Sequence, residues 1–92
     1  MNIDVSKIKE IYGSEIINIL SNKEVYSDFI CNIKYLIDKN INDVNQIVES
    51  HFPIFLTDKA NFKNKVDKLI NKLGKNYITF LDENSDIWEE LL

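Results

Sequence analysis

Residues 20–39 have the sequence LSNKEVYSDFICNIKYLIDK, and this stretch decides the fold. Apolar side chains recur here three and four residues apart, which places them on one face of an α-helix. The predicted face contains Val25, Tyr26, Phe29, Ile30, Ile33, Leu36 and Ile37. Ser21 and Glu24 have the spacing of a capping box, in which a hydroxyl and a carboxylate satisfy free amides at a helix start. We therefore predict an amphipathic helix over residues 24–39.

A second stretch, residues 56–75 with the sequence LTDKANFKNKVDKLINKLGK, has the same pattern. Its predicted buried face contains Phe62, Val66, Leu69, Ile70 and Leu73. Thr57 or Asp58 is expected to cap the start of this helix, and Gly74 supplies the left-handed residue that ends it. We therefore predict a second long helix over residues 58–73.

The rest of the chain predicts shorter elements around these two helices. They are helices over residues 4–12, 14–20 and 43–52, a tight turn from Pro53 to Leu56, and a last helix over 85–92. Residues 76–82 fit a helix or a strand, because Tyr77 to Phe80 include residues that favour β structure. Without a second strand to pair with, a helix is the better prediction. The expected fold is an all-α, small, single-domain bundle of five to six helices over residues 1–92.

An internal repeat is a further prediction. Residues 8–41 align without gaps to residues 44–77, at an offset of 36. The alignment pairs Leu20-Ser21-Asn22-Lys23 with Leu56-Thr57-Asp58-Lys59, and it also pairs most of the apolar positions. Two amphipathic helices in the same phase share apolar matches in any case. The pattern therefore fits either two stacked helix–turn–helix repeats of 36 residues or two unrelated helices of one type.

The composition favours a folded protein and disfavours several functions. Of the 92 residues 45% are hydrophobic, so intrinsic disorder is not expected. Isoleucine, asparagine and lysine dominate, as is typical of proteins from AT-rich genomes. The chain has 11 lysines and no arginine, so it lacks the planar fork that binds phosphate or guanine in a bidentate way. A net charge of −4 also disfavours non-specific binding to nucleic acid.

The location predicted from the sequence is a reducing cytoplasm. Cys31 is the only cysteine, so no disulfide forms within the chain and no structural zinc site can be built from thiolates. The first residues lack the basic start and the apolar segment of a secretory signal. No apolar run approaches the roughly 20 residues of a membrane span.

Catalytic and cofactor-binding motifs are not visible in the sequence. His51 is the only histidine, and its neighbours along the chain supply no partner on the same helix face. Cys31 has no glycine turn beside it that would expose a nucleophile. Asp82, Asn84 and Asp86 imitate the start of a calcium loop, but Ile87 occupies the position that requires glycine. We therefore predict that the protein is not an enzyme and holds no cofactor or metal.

Two groups of residues are candidates for an interface. Cys31 and Tyr35 lie four residues apart, opposite the apolar face of their helix, and form a patch that either contacts a partner or is covered by the N-terminal helix. Trp88, Leu91 and Leu92 form a second candidate group. These three either close the end of the core or anchor the chain in a groove of another protein.

Four lysines form a candidate basic stripe. Lys65, Lys68, Lys72 and Lys75 fall within roughly 80° of one another on the second long helix. They either contact phosphates or remain solvated near the negative end of the helix dipole. The leading functional hypothesis is a small acidic cytoplasmic interaction module that binds a protein or a second copy of itself, as an adaptor, inhibitor or immunity-type partner. The alternative is a nucleic-acid-associated helical-repeat protein that uses the lysine stripe.

Overall fold

The computed structural model describes residues 5–91. Within this range the chain forms six α-helices and three 3-10 helices, and it contains no β-strand. The α-helices are α1 (Val5–Tyr12), α2 (Glu15–Leu20), α3 (Lys23–Asp38), α4 (Val44–Ser50), α5 (Lys59–Leu73) and α6 (Tyr77–Glu83). The 3-10 helices are Phe52–Leu56, Gly74–Asn76 and Ser85–Leu91. The predicted all-α bundle is confirmed, and so is the choice of a helix for residues 76–82.

The two long helices begin at side-chain caps that occupy aligned positions of the predicted repeat. The Oδ1 atom of Asn22 accepts hydrogen bonds of 3.0 and 3.3 Å from the amides two and three residues further on. The Oδ2 atom of Asp58 accepts the equivalent bonds, at 3.1 and 3.2 Å. Each cap satisfies amides that have no partner within the helix. The predicted capping box of Ser21 and Glu24 is wrong, because Asn22 caps α3 and the Ser21 hydroxyl donates to the Ile17 carbonyl of α2.

Glycine and proline mark two of the turns. The backbone of Gly74, where α5 ends as predicted, has φ +76° and ψ −154°, a conformation that other residues avoid. A Cβ added to Gly74 would meet no atom within 4 Å, so the backbone conformation alone requires glycine. Pro53 lies at the start of the 3-10 helix Phe52–Leu56, where a missing amide leaves no helical bond unmade.

Every α-helix that the structure describes contributes to one hydrophobic core. The contacts of α3 with the 3-10 helix Phe52–Leu56 and with α5 form its centre. The ring centroids of Phe29 and Phe52 are 5.2 Å apart, and those of Phe55 and Phe62 are 5.5 Å apart. Burying one such side chain contributes about 1.5–3 kcal/mol. The aromatic side chains therefore join the long helices to the segment between them.

Asn32 is the one buried polar side chain among the residues described, with 1% of its surface exposed. Its Nδ2 group donates to the backbone carbonyls of Phe55, at 2.9 Å, and Thr57, at 2.8 Å. Both carbonyls lie where the 3-10 helix Phe52–Leu56 ends, and carbonyls at a helix end lack partners within the helix. Asn32 therefore attaches this segment to α3.

The buried face of α3 differs from the predicted one. Its buried side chains are Phe29, Asn32, Ile33 and Leu36. Tyr26 and Ile37 were predicted on this face but are 50% and 40% exposed, and Ile30 between them is only partly buried. At 100° per residue, these three residues are centred about 90° away from the buried group. We call Tyr26, Ile30 and Ile37 the outer stripe of α3.

The structure bears on the predicted repeat in two ways. The order of helix, short helix and long helix occurs twice, as α1–α2–α3 and as α4, the 3-10 helix Phe52–Leu56 and α5. The buried faces are not equivalent, because Phe62 and Val66 of α5 are buried whereas their aligned residues Tyr26 and Ile30 belong to the outer stripe. The repeat of residues 8–41 and 44–77 therefore stays a prediction.

The C-terminal segment, where a last helix was predicted over residues 85–92, is the 3-10 helix Ser85–Leu91. Residues three apart are eclipsed in a 3-10 helix, so Trp88 and Leu91 point to the same side. That side faces the core, and the segment packs against α5, α6 and the 3-10 helix Phe52–Leu56. Lys65 also holds the C-terminal segment to α5, because its Nζ atom donates a hydrogen bond to the Leu91 carbonyl at 2.9 Å.

The bundle measures 38 × 24 × 22 Å. Within residues 5–91, none of the helices has the length and apolar character needed to cross a membrane. Even α3 has only 16 residues. A helix that spans a bilayer needs about 20.

Candidate functional site

Exposed apolar side chains are concentrated on the first three helices. Among the residues that the structure describes, the large hydrophobic side chains that remain exposed are Ile11, Ile17, Ile19, Tyr26, Ile37 and Phe80. Five of these six belong to α1, α2 and α3. An apolar side chain that stays exposed to water does not contribute the favourable free energy that its burial would give. The surface of α1, α2 and α3 is therefore a stronger candidate for an apolar contact with another protein than the rest of the described surface.

The outer stripe of α3 is the most regular part of this surface. Its three residues fall within about 40° of one another at 100° per residue, and they extend over about 16 Å at 1.5 Å per residue. The charged residues Lys23, Lys34 and Asp38 are exposed on the solvent side of the stripe. The stripe is thus an apolar strip with charges along one edge.

The predicted patch of Cys31 and Tyr35 is only partly exposed. Cys31 is exposed, whereas Tyr35 is half-buried and its hydroxyl donates to the carboxylate of Asp67 on α5. Burial, followed by the hydrogen bond to Asp67 and its negative charge, raises the pKa of Tyr35 to about 12. The Lys39 Nζ atom also lies 5.3 Å from the centre of the Tyr35 ring. Tyr35 therefore connects the two long helices, and the helix against it is α5 rather than the N-terminal helix of the prediction.

Trp88 and Leu91 belong to the core. They have 1% and 3% of their surface exposed, so the first of the two predicted alternatives describes them. An anchor for a groove in another protein needs an exposed side chain. In this conformation neither residue can act as one, which corrects their assignment as interface residues. Leu92, the third member of that group, lies outside the described residues.

Three of the four stripe lysines meet at a shallow hollow. Lys65, Lys68 and Lys72 line this hollow of about 220 Å³, together with Glu90 and Leu91. One of the three, Lys65, is half-buried and is hydrogen-bonded to the Leu91 carbonyl. Lys75 follows α5 in the 3-10 helix Gly74–Asn76 and does not line the hollow. The C-terminal segment thus brings a carboxylate next to the lysines.

A polar cleft of about 400 Å³ was not predicted from the sequence. It lies between α4 on one side and α6 with the 3-10 helix Ser85–Leu91 on the other. Its lining includes His51 and the carboxylates of Asp43, Asp82 and Asp86, and lysine is absent from the described lining. The Nδ2 group of Asn42 donates to Asp82 at 2.8 Å across one end.

The chemistry open to this cleft is limited. Its carboxylates favour cations. In the part of the chain that the structure describes, no three His, Cys, Asp or Glu side chains are grouped to hold a metal ion. Cys31, the one thiol, does not line the cleft. The sequence signal for the cleft is the run of Asp82, Asn84 and Asp86, which lacks the glycine that a calcium loop requires.

Comparison with protein-family models, curated proteins and solved structures finds no match for this chain. Among the described residues, the first three helices carry five of the six exposed large hydrophobic side chains, and charged residues lie beside those of α3.

Proposed function

We propose that this protein is a non-catalytic interaction module that binds another protein molecule through the apolar surface of α1, α2 and α3. The observation that carries the proposal is the distribution of exposed apolar side chains, five of six on these helices. Interfaces are built from an apolar centre with a polar rim. A cytoplasmic location, consistent with a single exposed cysteine, is part of the proposal.

Charge is expected to orient the partner. The protein has a net charge of −4, and Glu10, Glu15 and Glu24 are exposed on the same three helices. Charges at the rim of an interface change the association rate and the salt dependence more than the affinity. An adaptor, an inhibitor or an immunity-type protein would use such a surface in the same way.

The absence of catalysis belongs to the proposal and has two supporting observations. Cys31 and His51, the two side chains most often used as nucleophile and base, lie in different places, one exposed on α3 and the other in the polar cleft. Nucleophilic catalysis needs such groups within hydrogen-bond reach of each other. In the cleft His51 lies among serines and aspartates, but the hydrogen bond found across it joins Asn42 to Asp82 and does not involve His51.

The experiment that tests the proposal is affinity capture with a matched control. The tagged protein is mixed with nuclease-treated lysate of cells that express it, and bound proteins are identified and then rebound in purified form. The double variant Tyr26→Ser with Ile37→Ser should lose the partner, whereas Phe80→Ser, which alters an exposed ring on α6, should retain it. Equal capture by all three proteins would refute the assignment of the binding surface.

The second candidate function is association with nucleic acid through the lysine stripe. Its supporting observation is the hollow shared by Lys65, Lys68 and Lys72. Glu90 lies in the same hollow and weakens its positive potential. If this function is correct, binding to a labelled single strand falls steeply with salt and is lost on Lys68→Glu with Lys72→Glu. Binding that is absent, or that survives these changes, rejects it.

A further inference from the structure

We propose that the outer stripe of α3 is covered by the α3 of a second copy of this chain, with the two helices antiparallel. This inference rests on the proposed function, because it names the occupant of part of the same surface. Three features of the structure carry it: the position of the stripe, the polar character of the outward side of α5, and the charges beside the stripe.

The stripe occupies the positions of α3 that correspond to core-facing positions of α5. In α5 the aligned residues Phe62, Val66 and Leu73 face the interior, where they pack with the core around α3. The outer stripe of α3 has the same apolar register, but Tyr26 and Ile37 are exposed and Ile30 is only partly buried. A helix laid on this stripe would complete for α3 the kind of contact that α5 already makes.

A head-to-tail stack, in which every copy contacts the next in the same orientation, does not place a suitable helix on the outer stripe. Stacking in the same sense would place the outward side of one copy's α5 on the outer stripe of the next. That side of α5 carries Asn61, Asn64, Lys68 and Asn71, all of them exposed. A contact of these amides and the lysine with Tyr26 and Ile37 would contribute little binding free energy, because it would remove water from polar and charged groups. A two-fold arrangement instead places apolar stripe on apolar stripe, as an isologous dimer requires.

The charges beside the stripe select the antiparallel orientation. With the helices crossing near their middle, Tyr26 lies beside Ile37 of the second copy. In this register Asp38 of the second copy lies two residues, or about 3 Å, from the position opposite Lys23. The long lysine side chain spans that offset, and symmetry repeats this pair. Both side chains are exposed in the single chain. A parallel pair would place the charged edges of the two stripes on opposite sides of the two-fold axis, so Lys23 of one copy would not meet Asp38 of the other.

Sedimentation equilibrium of the purified chain tests the dimer. We expect a reversible monomer–dimer equilibrium, with the double variant Tyr26→Ser and Ile37→Ser weakening it at least about 100-fold. Phe80→Ser is the matched control and should leave the dissociation constant within about threefold of the original. A chain that stays monomeric up to about 1 mM, or a dimer that ignores the stripe substitutions, overturns the inference.

Charge reversal tests the orientation. Lys23→Asp and Asp38→Lys should each weaken the dimer, and the two changes combined in one chain should restore it. Both changes agree with the dipole of α3, since they place an acid at its start and a base at its end, so the monomer remains folded. A combined variant that is weaker than either single variant overturns the antiparallel arrangement.

The two proposals can fail separately. If the purified chain is monomeric but captures a partner in a manner that depends on the stripe, the self-association is refuted and the proposed function stands. If it neither dimerises nor captures a partner through the stripe, both are refuted.

Discussion

Replacing Asn32 by leucine measures how much its two hydrogen bonds stabilise the bundle. Leucine has a similar size but no donor, so the carbonyls of Phe55 and Thr57 lose their bonds of 2.9 and 2.8 Å. Two lost bonds at about 1 kcal/mol each, with the added cost of buried acceptors left without partners, give about 2–4 kcal/mol. A domain of this length has about 5–14 kcal/mol of stability at the usual value per residue. The substitution therefore removes a large part of the total.

Aspartate at the same position makes the effect depend on pH. An ionised carboxylate donates no hydrogen bond and places a negative charge against two carbonyl oxygens. Burial raises the pKa of this introduced carboxyl above its value of about 4 in an unfolded chain. The stability of the Asn32→Asp variant is thus highest below about pH 4 and falls as the pH rises through the raised pKa. At neutral pH we expect this variant to be less stable than Asn32→Leu.

Urea unfolding followed by the fluorescence of Trp88, the single buried tryptophan, measures these differences. Asn64→Asp is the control, because Asn64 is exposed on α5 and its change should stay within about 0.5 kcal/mol. A loss below about 0.5 kcal/mol for Asn32→Leu would refute the reasoning, since that is the range of surface substitutions. The same holds if Asn32→Asp shows no pH dependence beyond that of the original chain.

Three further predictions concern single residues. Burial and the bond to Asp67 raise the pKa of Tyr35 to about 12, so its stabilising effect is present below about pH 10 and is lost as the pH rises through 12. The free energy of unfolding should therefore fall more steeply in this range than that of Tyr35→Phe, and parallel curves would contradict this. Trp88→Ala should cost about 3–5 kcal/mol in thermal unfolding, whereas an unchanged melting temperature would place Trp88 at the surface. Gly74→Ala should cost about 1–3 kcal/mol from backbone strain alone, and a stabilised variant would disprove that cause.

Much of the fold could be predicted from the periodicity of apolar residues, because helix faces follow directly from spacing. The two long helices and the stop at Gly74 are examples. The rotation of α3 could not be predicted in this way. Its apolar arc is wider than one contact surface, and only the position of the 3-10 helix Phe52–Leu56 decides which part is buried. Asn32 shows the same limit, since a polar residue at the edge of the apolar arc is buried here with two carbonyls from a distant segment as its partners.

The candidate surfaces were less predictable for a related reason. The polar cleft is built from α4 and from residues that follow it by more than thirty positions, so no local spacing indicates it. Residues three apart share a face in α-helices and in 3-10 helices alike, so the spacing of Trp88 and Leu91 groups them but does not say what covers them. Their burial follows from packing against α5, α6 and the 3-10 helix Phe52–Leu56. The residues of the outer stripe could be recognised in the sequence as apolar. Their exposure could not, because spacing shows which residues share a helix face and not whether another element covers that face.

The two hydrogen bonds of Asn32 restrict substitution much more at position 32 than at the positions of their acceptors. The donor is a side chain, whereas both acceptors are main-chain carbonyls, which every amino acid possesses. Thr57 can therefore change its side chain without losing its bond to Asn32, while almost any change at position 32 removes both bonds. In a saturation library screened for folding, we expect position 32 to tolerate very few residues and position 57 to tolerate many. The same contact thus constrains one end of the pair and leaves the other free to vary.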